Sequence, residues 1–361
     1  MNRNNREDNN RQSNNENREQ TRGRSQRQRG RRRHSSANKG GNRGEQFSER
    51  LNEARDKAKT RFSTSPIPLG FPNIIEPEPV DISIDWPTKP IRQNVERKVC
   101  DLVTIPGEWG FLDDDAVEII AKRLEPHKMT VEQGLSLRKA LMQEKAVYGH
   151  HKMMARANTF RKRYDEGETV LQLSRRFDFP PVAIFRAILT ARGWSKVKIR
   201  DSLRQPDKKM SKRDAREFRE AEEKDRVTNV DQGDTAIKAD LFEVVVGNYL
   251  DQHGVNYRRQ EDLLKEQQKE HGRPLNTPDF LIMDNLEING EPIAWIDAKN
   301  FYGANLSFTK KKTKKQMNRY IDEWGFGAIV YRHSYCDALN IPGVLKLDQA
   351  PLDISIMNPD E

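Results

Sequence analysis

Three side chains in the last third of the chain have the types and spacing to do metal-assisted chemistry on a phosphate. Asp279 follows Pro278 at the start of an apolar run, TPDFLIM, and Asp297 and Lys299 end a second run, PIAWIDAKN. Strand alternation puts Asp297 and Lys299 on one face and turns Ala298 away. Two carboxylates and an ammonium from neighbouring strands are costly to bury in an apolar core. A hard divalent cation resolves the cluster, since oxygen ligands and retained waters suit Mg²⁺ or Mn²⁺. Such an ion can hold a phosphate oxygen and acidify a water, while Lys299 orients the nucleophile or meets developing charge. Glu243, on an upstream helical pattern, is a further ligand or water contact.

The elements that position these groups are legible around them. Residues IKADLFEVVVGNYLDQHG have near-helical apolar spacing and end at Gly254. VNYRRQ reads as a strand followed by a polar loop. The runs at 277–283 and 292–300 form a hairpin about the Asn289-Gly290 turn. A helix over 310–325 follows, with Met317, Tyr320, Ile321 and Trp324 on one face, and then the strand AIVYRH. The order is α–β–β–β–α–β.

The quoted residues resemble a known motif. Pro278-Asp279 followed by Asp297-Ala-Lys299 is similar to the PD-(D/E)xK nuclease signature, with Asp297 where Glu is frequent. Glu243 resembles that superfamily's first-helix acid, and Gln316 with Tyr320 its Q-xxx-Y element. More narrowly, Thr277-Pro278-Asp279, Trp295-Ile-Asp-Ala-Lys299 and Phe301-Tyr-Gly303 resemble the TPD-motif family, which includes a codanin-interacting nuclease. The resemblance covers about residues 105–350. It implies an α/β, restriction-endonuclease-like C-terminal domain, a mixed sheet flanked by helices. It also implies metal-dependent DNA phosphodiesterase activity, a codanin-type partner, and a place in nucleus and cytoplasm. A catalytically idle scaffold and a binder of branched nucleic acid are the rival expectations.

Upstream, the chain divides by composition. Charged residues are 33% of the 361 and hydrophobic ones 34%, so part of the chain lacks the material for a core. Residues 1–50 hold 14 Lys+Arg against 6 Asp+Glu, which is +8 of the total +9. The expected divisions are a disordered Asn/Arg-rich tail over 1–65, with a basic run from Arg22 to Arg33, and a Pro-rich extended segment over 66–104. A helical domain over 105–200 follows, then a charged linker over 201–235, the nuclease-like domain over 236–350 and a short tail over 351–361. Within the helical domain, DDDAVEIIAKRL reads as one amphipathic helix. A second opens with Thr130 and Gln133 in capping-box spacing and runs to about residue 164. Residues 167–191 have the layout of a helix-turn-helix, broken at Asp178-Phe-Pro-Pro. Arg186, Arg192, Lys196 and Lys198 are its candidate phosphate contacts; a purely structural helix pair fits the same pattern.

Other classes are excluded or disfavoured. No run of about 18 apolar residues exists to span a membrane. The first residues lack the apolar core of a secretory signal. Cys100 and Cys336 form no CxxC pair, so neither a disulfide framework nor a conventional zinc site is expected. His150 and His151 are adjacent on a helix and point apart.

Overall fold

The computed structural model describes residues 39–227 and 232–357. The unit Met1–Gly44 contributes to these only the opening of one helix; residues Glu45–Glu361 form the second unit. In chain order the elements are α1 (Lys39–Thr60), β1 (Asp81–Ile84), α2 (Gln93–Cys100), α3 (Asp114–Leu124), α4 (Val131–Met154), α5 (Ala157–Asp165), α6 (Val170–Phe177), α7 (Pro181–Ala191), α8 (Lys196–Arg204), α9 (Pro206–Lys209) and α10 (Lys212–Glu223). They continue with α11 (Gln232–Gln252), β2 (Tyr257–Arg259), α12 (Gln260–His271), β3 (Phe280–Ile288), β4 (Glu291–Lys299), α13 (Ser307–Trp324), β5 (Gly327–Tyr331) and β6 (Val344–Asp348).

A mixed α/β layer is built on the β3–β4 hairpin. Asn289 and Gly290 both have positive φ, 53° and 77°, the backbone that a two-residue primed turn requires. The six-stranded sheet runs β1-β3-β4-β5-β6, with β2 beside β3. The β3–β4 and β2–β3 pairs are antiparallel; β1–β3, β4–β5 and β5–β6 are parallel. β2 takes the first residues of β3 and β1 the last, so both share one edge of that strand. Side chains of β3 and β4 are mostly buried and those of β5 entirely, as a sheet covered on both faces demands. Phe242, Val245, Val246 and Leu250 of α11 and Met317, Tyr320 and Trp324 of α13 complete this core. Gly327 has a specific role: a Cβ there would stand 2.2 Å from the Trp295 ring, so only glycine lets β5 lie against it.

The second core belongs to the helices. Phe160, Tyr164, Leu173, Ile184, Phe185, Ile188 and Phe218 pack together around α7. The long helix α4 opens with the Thr130–Gln133 capping box and reaches both cores, through Leu137 and through Met153.

Several expected divisions are corrected. The charged linker over 201–235 carries the end of α8, α9, α10 and the start of α11, and Asp225 after α10 is 2% exposed and accepts the Val182 amide at 2.9 Å. Its helix α10 buries Ala215, Phe218 and Ala221, and its buried carboxylates Asp214 and Glu217 are hydrogen-bonded to Tyr164 and to the Val170 amide. The apolar stripe is thin because polar groups with partners share the inner face. Residues 228–231 lie outside the described residues. The disordered tail is expected over 1–65, but α1 buries Ala54 and Ala58 at i,i+4 spacing, and Arg61 after it is 2% exposed. Residues 1–38, with the basic run, lie outside the described residues. The Pro-rich segment contains β1 and α2, and Leu352 of the expected C-terminal tail is buried in the sheet core. The helix expected to reach residue 164 breaks at Ala155-Arg156, between α4 and α5. The polar loop expected after β2 is α12, which buries Leu263 and Gln267.

Candidate active site

The hairpin register brings the two aspartates together. Phe280 faces Ile296 across the antiparallel pair, so one step outward sets Asp279 opposite Asp297. Asp279 is 7% exposed and Asp297 1%. The Asp279 carboxylate accepts the Ala298 amide at 2.7 Å and the Gln260 side-chain amide at 3.2 Å. Asp297 accepts the Gln316 amide at 3.1 Å on one oxygen, and the Lys299 ammonium forms an ion pair with the other.

The electrostatics of the cluster follow from burial. Loss of solvent pushes the Asp279 carboxyl well above the usual carboxylate range; Asp297 and Glu243 push it further, and Lys299 opposes. Glu243 is also shifted upward, by burial first, then by Asp240 and Asp297, against Lys299 and Arg259. Burial disfavours the Lys299 charge, but Asp297 and Asp279 outweigh it, so the ammonium is held above its ordinary pKa. Tyr320 is pushed up to about 12 by burial and then by Asp297. Three acids therefore face one firmly protonated lysine.

Gln316 and Tyr320 stand one turn apart on α13, and each is hydrogen-bonded. The Gln316 amide reaches both Asp297 and the Tyr320 oxygen, the latter at 3.2 Å. The Tyr320 hydroxyl donates to the Thr277 carbonyl at 3.1 Å, which ties α13 to the Thr-Pro-Asp turn. The structure thus brings together Glu243, Asp279, Asp297, Lys299, Gln316 and Tyr320, drawn from α11, the β3–β4 hairpin and α13.

Sequence reasoning missed two contributors. Gln260 opens α12 and bonds both Asp279 and the Thr277 carbonyl; its stretch reads as strand and loop, and no motif marks it. Tyr331 is buried on β5, in register with Lys299, and is shifted upward by burial and then by Asp297. A tyrosine in an otherwise aliphatic strand was the only signal.

Residues 210–349 match the family model described as "Protein of unknown function TPD sequence-motif". The matched span contains every residue of the site and begins beside α10. The Uncharacterized protein L539 of Acanthamoeba polyphaga mimivirus is 34% identical over 119 residues, 32% of this chain and 42% of the viral one. The chain therefore spans about two fifths of that relative's length. No solved structure matches.

The four candidate phosphate contacts of the helical part lie outside the matched span and apart from one another in role. Arg192 is engaged by Asp165 at 2.6 Å and by both oxygens of Asp214 at 3.1 Å. Lys198 places its ammonium over the Trp194 ring at 4.2 Å. Arg186 and Lys196 are exposed. The turn between α6 and α7 is present, with Asp178 left-handed at φ 48°. However, α7 buries Val182, Ile184, Phe185, Ala187, Ile188 and Leu189, so its outward face is narrow. No helix among the described residues is long and apolar enough to cross a membrane.

Proposed function

We propose that residues 210–349 form a metal-dependent phosphodiesterase acting on nucleic acid. The observation that carries this reading is the buried Asp279–Asp297 pair facing one lysine, with the Asp279 carboxyl held high by burial and by its neighbour. Among the described residues, no group of three or more His, Cys, Asp and Glu side chains is gathered to hold a metal ion. The donor set still fits Mg²⁺ or Mn²⁺, since Mg²⁺ is commonly held by one or two carboxylates with waters and substrate phosphates completing its shell. Asp279 and Asp297 would hold the ion and Glu243 would order a water beside it. When bound, the ion would supply Lewis acidity and an acidified water.

The chain's own residues have separable tasks. Lys299 is too firmly protonated to act as a base, so it serves as a fixed cation toward negative charge developing on the phosphate. Glu243, its carboxyl raised by burial and then by Asp240 and Asp297, is the group assigned to accept the proton of that water. Gln316, Tyr320 and Gln260 act as positioning residues, holding the carboxylates and the turn that carries Asp279. A second reading, an idle fold that binds a partner protein, draws on the Lys299–Asp297 ion pair, which occupies an oxygen the metal would need.

The test is hydrolysis of labelled single- and double-stranded DNA and RNA, and of a small activated phosphodiester, with Mg²⁺, Mn²⁺ or EDTA. Metal-dependent cleavage that Asp279→Asn abolishes supports the enzyme. Cleavage unchanged in that variant, or none with any metal and substrate, overturns it in favour of the partner-binding reading.

A further inference from the structure

Helix α13 carries more charge than its fold can use. Lys310, Lys311, Lys312, Lys314 and Lys315 crowd its first half, and Arg319 follows. Lys310 with Lys314 and Lys311 with Lys315 stand four residues apart, where like charges repel. No carboxylate lies on the helix before Asp322. Among the described residues, Lys311, Lys312, Lys315 and Arg319 make no side-chain hydrogen bond, ion pair or ring contact, and all four are exposed.

The placement of these charges is directional. Thr313, Met317, Tyr320 and Trp324 bury one face of the helix, and Gln316 stands at the margin of that face, bonded to Asp297. Lys312 lies four residues before Gln316 and Arg319 three after it, so both are its neighbours on the helix surface, with Lys315 beside them. A cationic ridge therefore runs past the point where the helix touches the site.

An exposed aromatic ring also stands close to Lys299. Phe301, two residues beyond Lys299, is 36% exposed and meets the Tyr331 ring edge-on, 6.0 Å between centroids. Its amide donates to the Lys299 carbonyl at 2.7 Å, so the chain bends sharply there. Phe301 thus sits beside the buried Tyr331 that borders Asp297. A cationic track and an exposed ring, each close to the site, are the composition of a surface that binds single-stranded nucleic acid, phosphates on the cations and an unstacked base on the ring.

We infer that Lys312, Lys315 and Arg319 form the track that guides a single nucleic-acid strand into the site, with Phe301 stacking the base next to the reacting phosphate. This rests on the phosphodiesterase reading above and adds the form of the substrate and its path.

The test is anisotropy of a fluorescein-labelled single-stranded DNA oligonucleotide and of its duplex, in EDTA over a range of NaCl, with the full chain. The triple variant Lys312→Gln/Lys315→Gln/Arg319→Gln should flatten the plot of log affinity against log salt by about 2, at roughly 0.7 per lost phosphate contact on a single strand. Phe301→Leu keeps apolar volume and removes the ring; it should weaken single-strand binding by about tenfold and leave duplex binding unchanged, while Phe301→Tyr restores it. An unchanged salt slope in the triple variant, no binding by the wild type, or equal loss for both strand forms in Phe301→Leu overturns the inference. Asp279→Asn should bind as the wild type does. Hydrolysis of the small phosphodiester without this binding pattern would leave the enzyme standing and the track refuted; the pattern without any hydrolysis would do the reverse.

Discussion

The helical bundle and the sheet each bury aspartates beside a cation, and they treat them differently. In the bundle, Asp214 receives the Tyr164 hydroxyl at 2.9 Å and the Arg192 guanidinium on both oxygens, while Asp165 takes the other end of Arg192. Arg213 stands over the same Tyr164 ring at 4.2 Å. Acids and cations there are matched. Around the sheet, Asp279, Asp297 and Glu243 of α11 face Lys299, with Arg259 opposing only at Glu243, and burial holds two of the acids above their ordinary range. A fold gains nothing from such an imbalance, whereas a site that binds a cation and a phosphate does.

Lys299→Met is the strongest way to break the comparison. It leaves Asp297, 1% exposed, without its ion partner. Stability should fall by about 3 kcal/mol, the scale for removing one partner of a buried pair. Hydrolysis should fall by about a thousandfold on the scale of a lost charge stabiliser. Chemical denaturation and single-turnover cleavage at a temperature where the variant is folded measure the two losses separately. Retained cleavage would make Lys299 structural.

Arg192→Met is the matching lesion in the bundle, and its effect should be confined to folding. Arg192 is partly exposed at 25% of its side chain, so the loss should be about 2 kcal/mol, below the full buried-pair scale. Cleavage by the folded fraction should be unchanged. A fall in kcat at full folding would mean the two regions are coupled and the contrast is false.

These two regions also differ in how far the sequence revealed them. The hairpin, its Asn289-Gly290 turn, and the gathering of Asp279, Asp297 and Lys299 followed from alternation and turn chemistry, which are local. α10 did not, because its inner face pairs Phe218 and Ala221 with buried carboxylates whose partners are distant in sequence, Tyr164 about 50 residues upstream. The same limit hid Gln260, whose bond to Asp279 spans 19 residues, and α1, whose anchors are the small residues Ala54 and Ala58. β1 escaped notice because it pairs in parallel with β3 about 200 residues away, a register that no local pattern encodes.

Asp279→Asn sharpens the contrast from the side of stability. The Asp279 carboxyl is raised in the fold, so its protonated form is favoured there, and its contribution is lost as pH rises through the folded pKa. Asn is neutral throughout and can keep the Ala298 bond through its oxygen. The variant should therefore be more stable than the wild type at pH 7–8 by about 1 kcal/mol, with the gain vanishing as pH falls toward the ordinary carboxylate value of about 4. Mg²⁺ should narrow the gap by stabilising only the wild type. A gain that persists at low pH would point to packing rather than charge.

The smallest effect is expected where the sequence pattern spoke for DNA reading. Helix α7 turns most of its surface into the bundle core and leaves Arg186 as its exposed cation. A reading helix in a DNA groove needs several outward side chains near its N-terminus, and here Val182, Ile184 and Phe185 of that turn point inward. Arg186→Gln combined with Lys196→Gln should change stability by less than about 0.5 kcal/mol, as surface substitutions usually do. The salt dependence of duplex binding should shift by less than one phosphate contact, about 0.9 in slope. A larger shift, measured by the same anisotropy titration, would make α6 and α7 a genuine DNA-reading unit. The bundle would then be a second functional region rather than a matched, purely structural one.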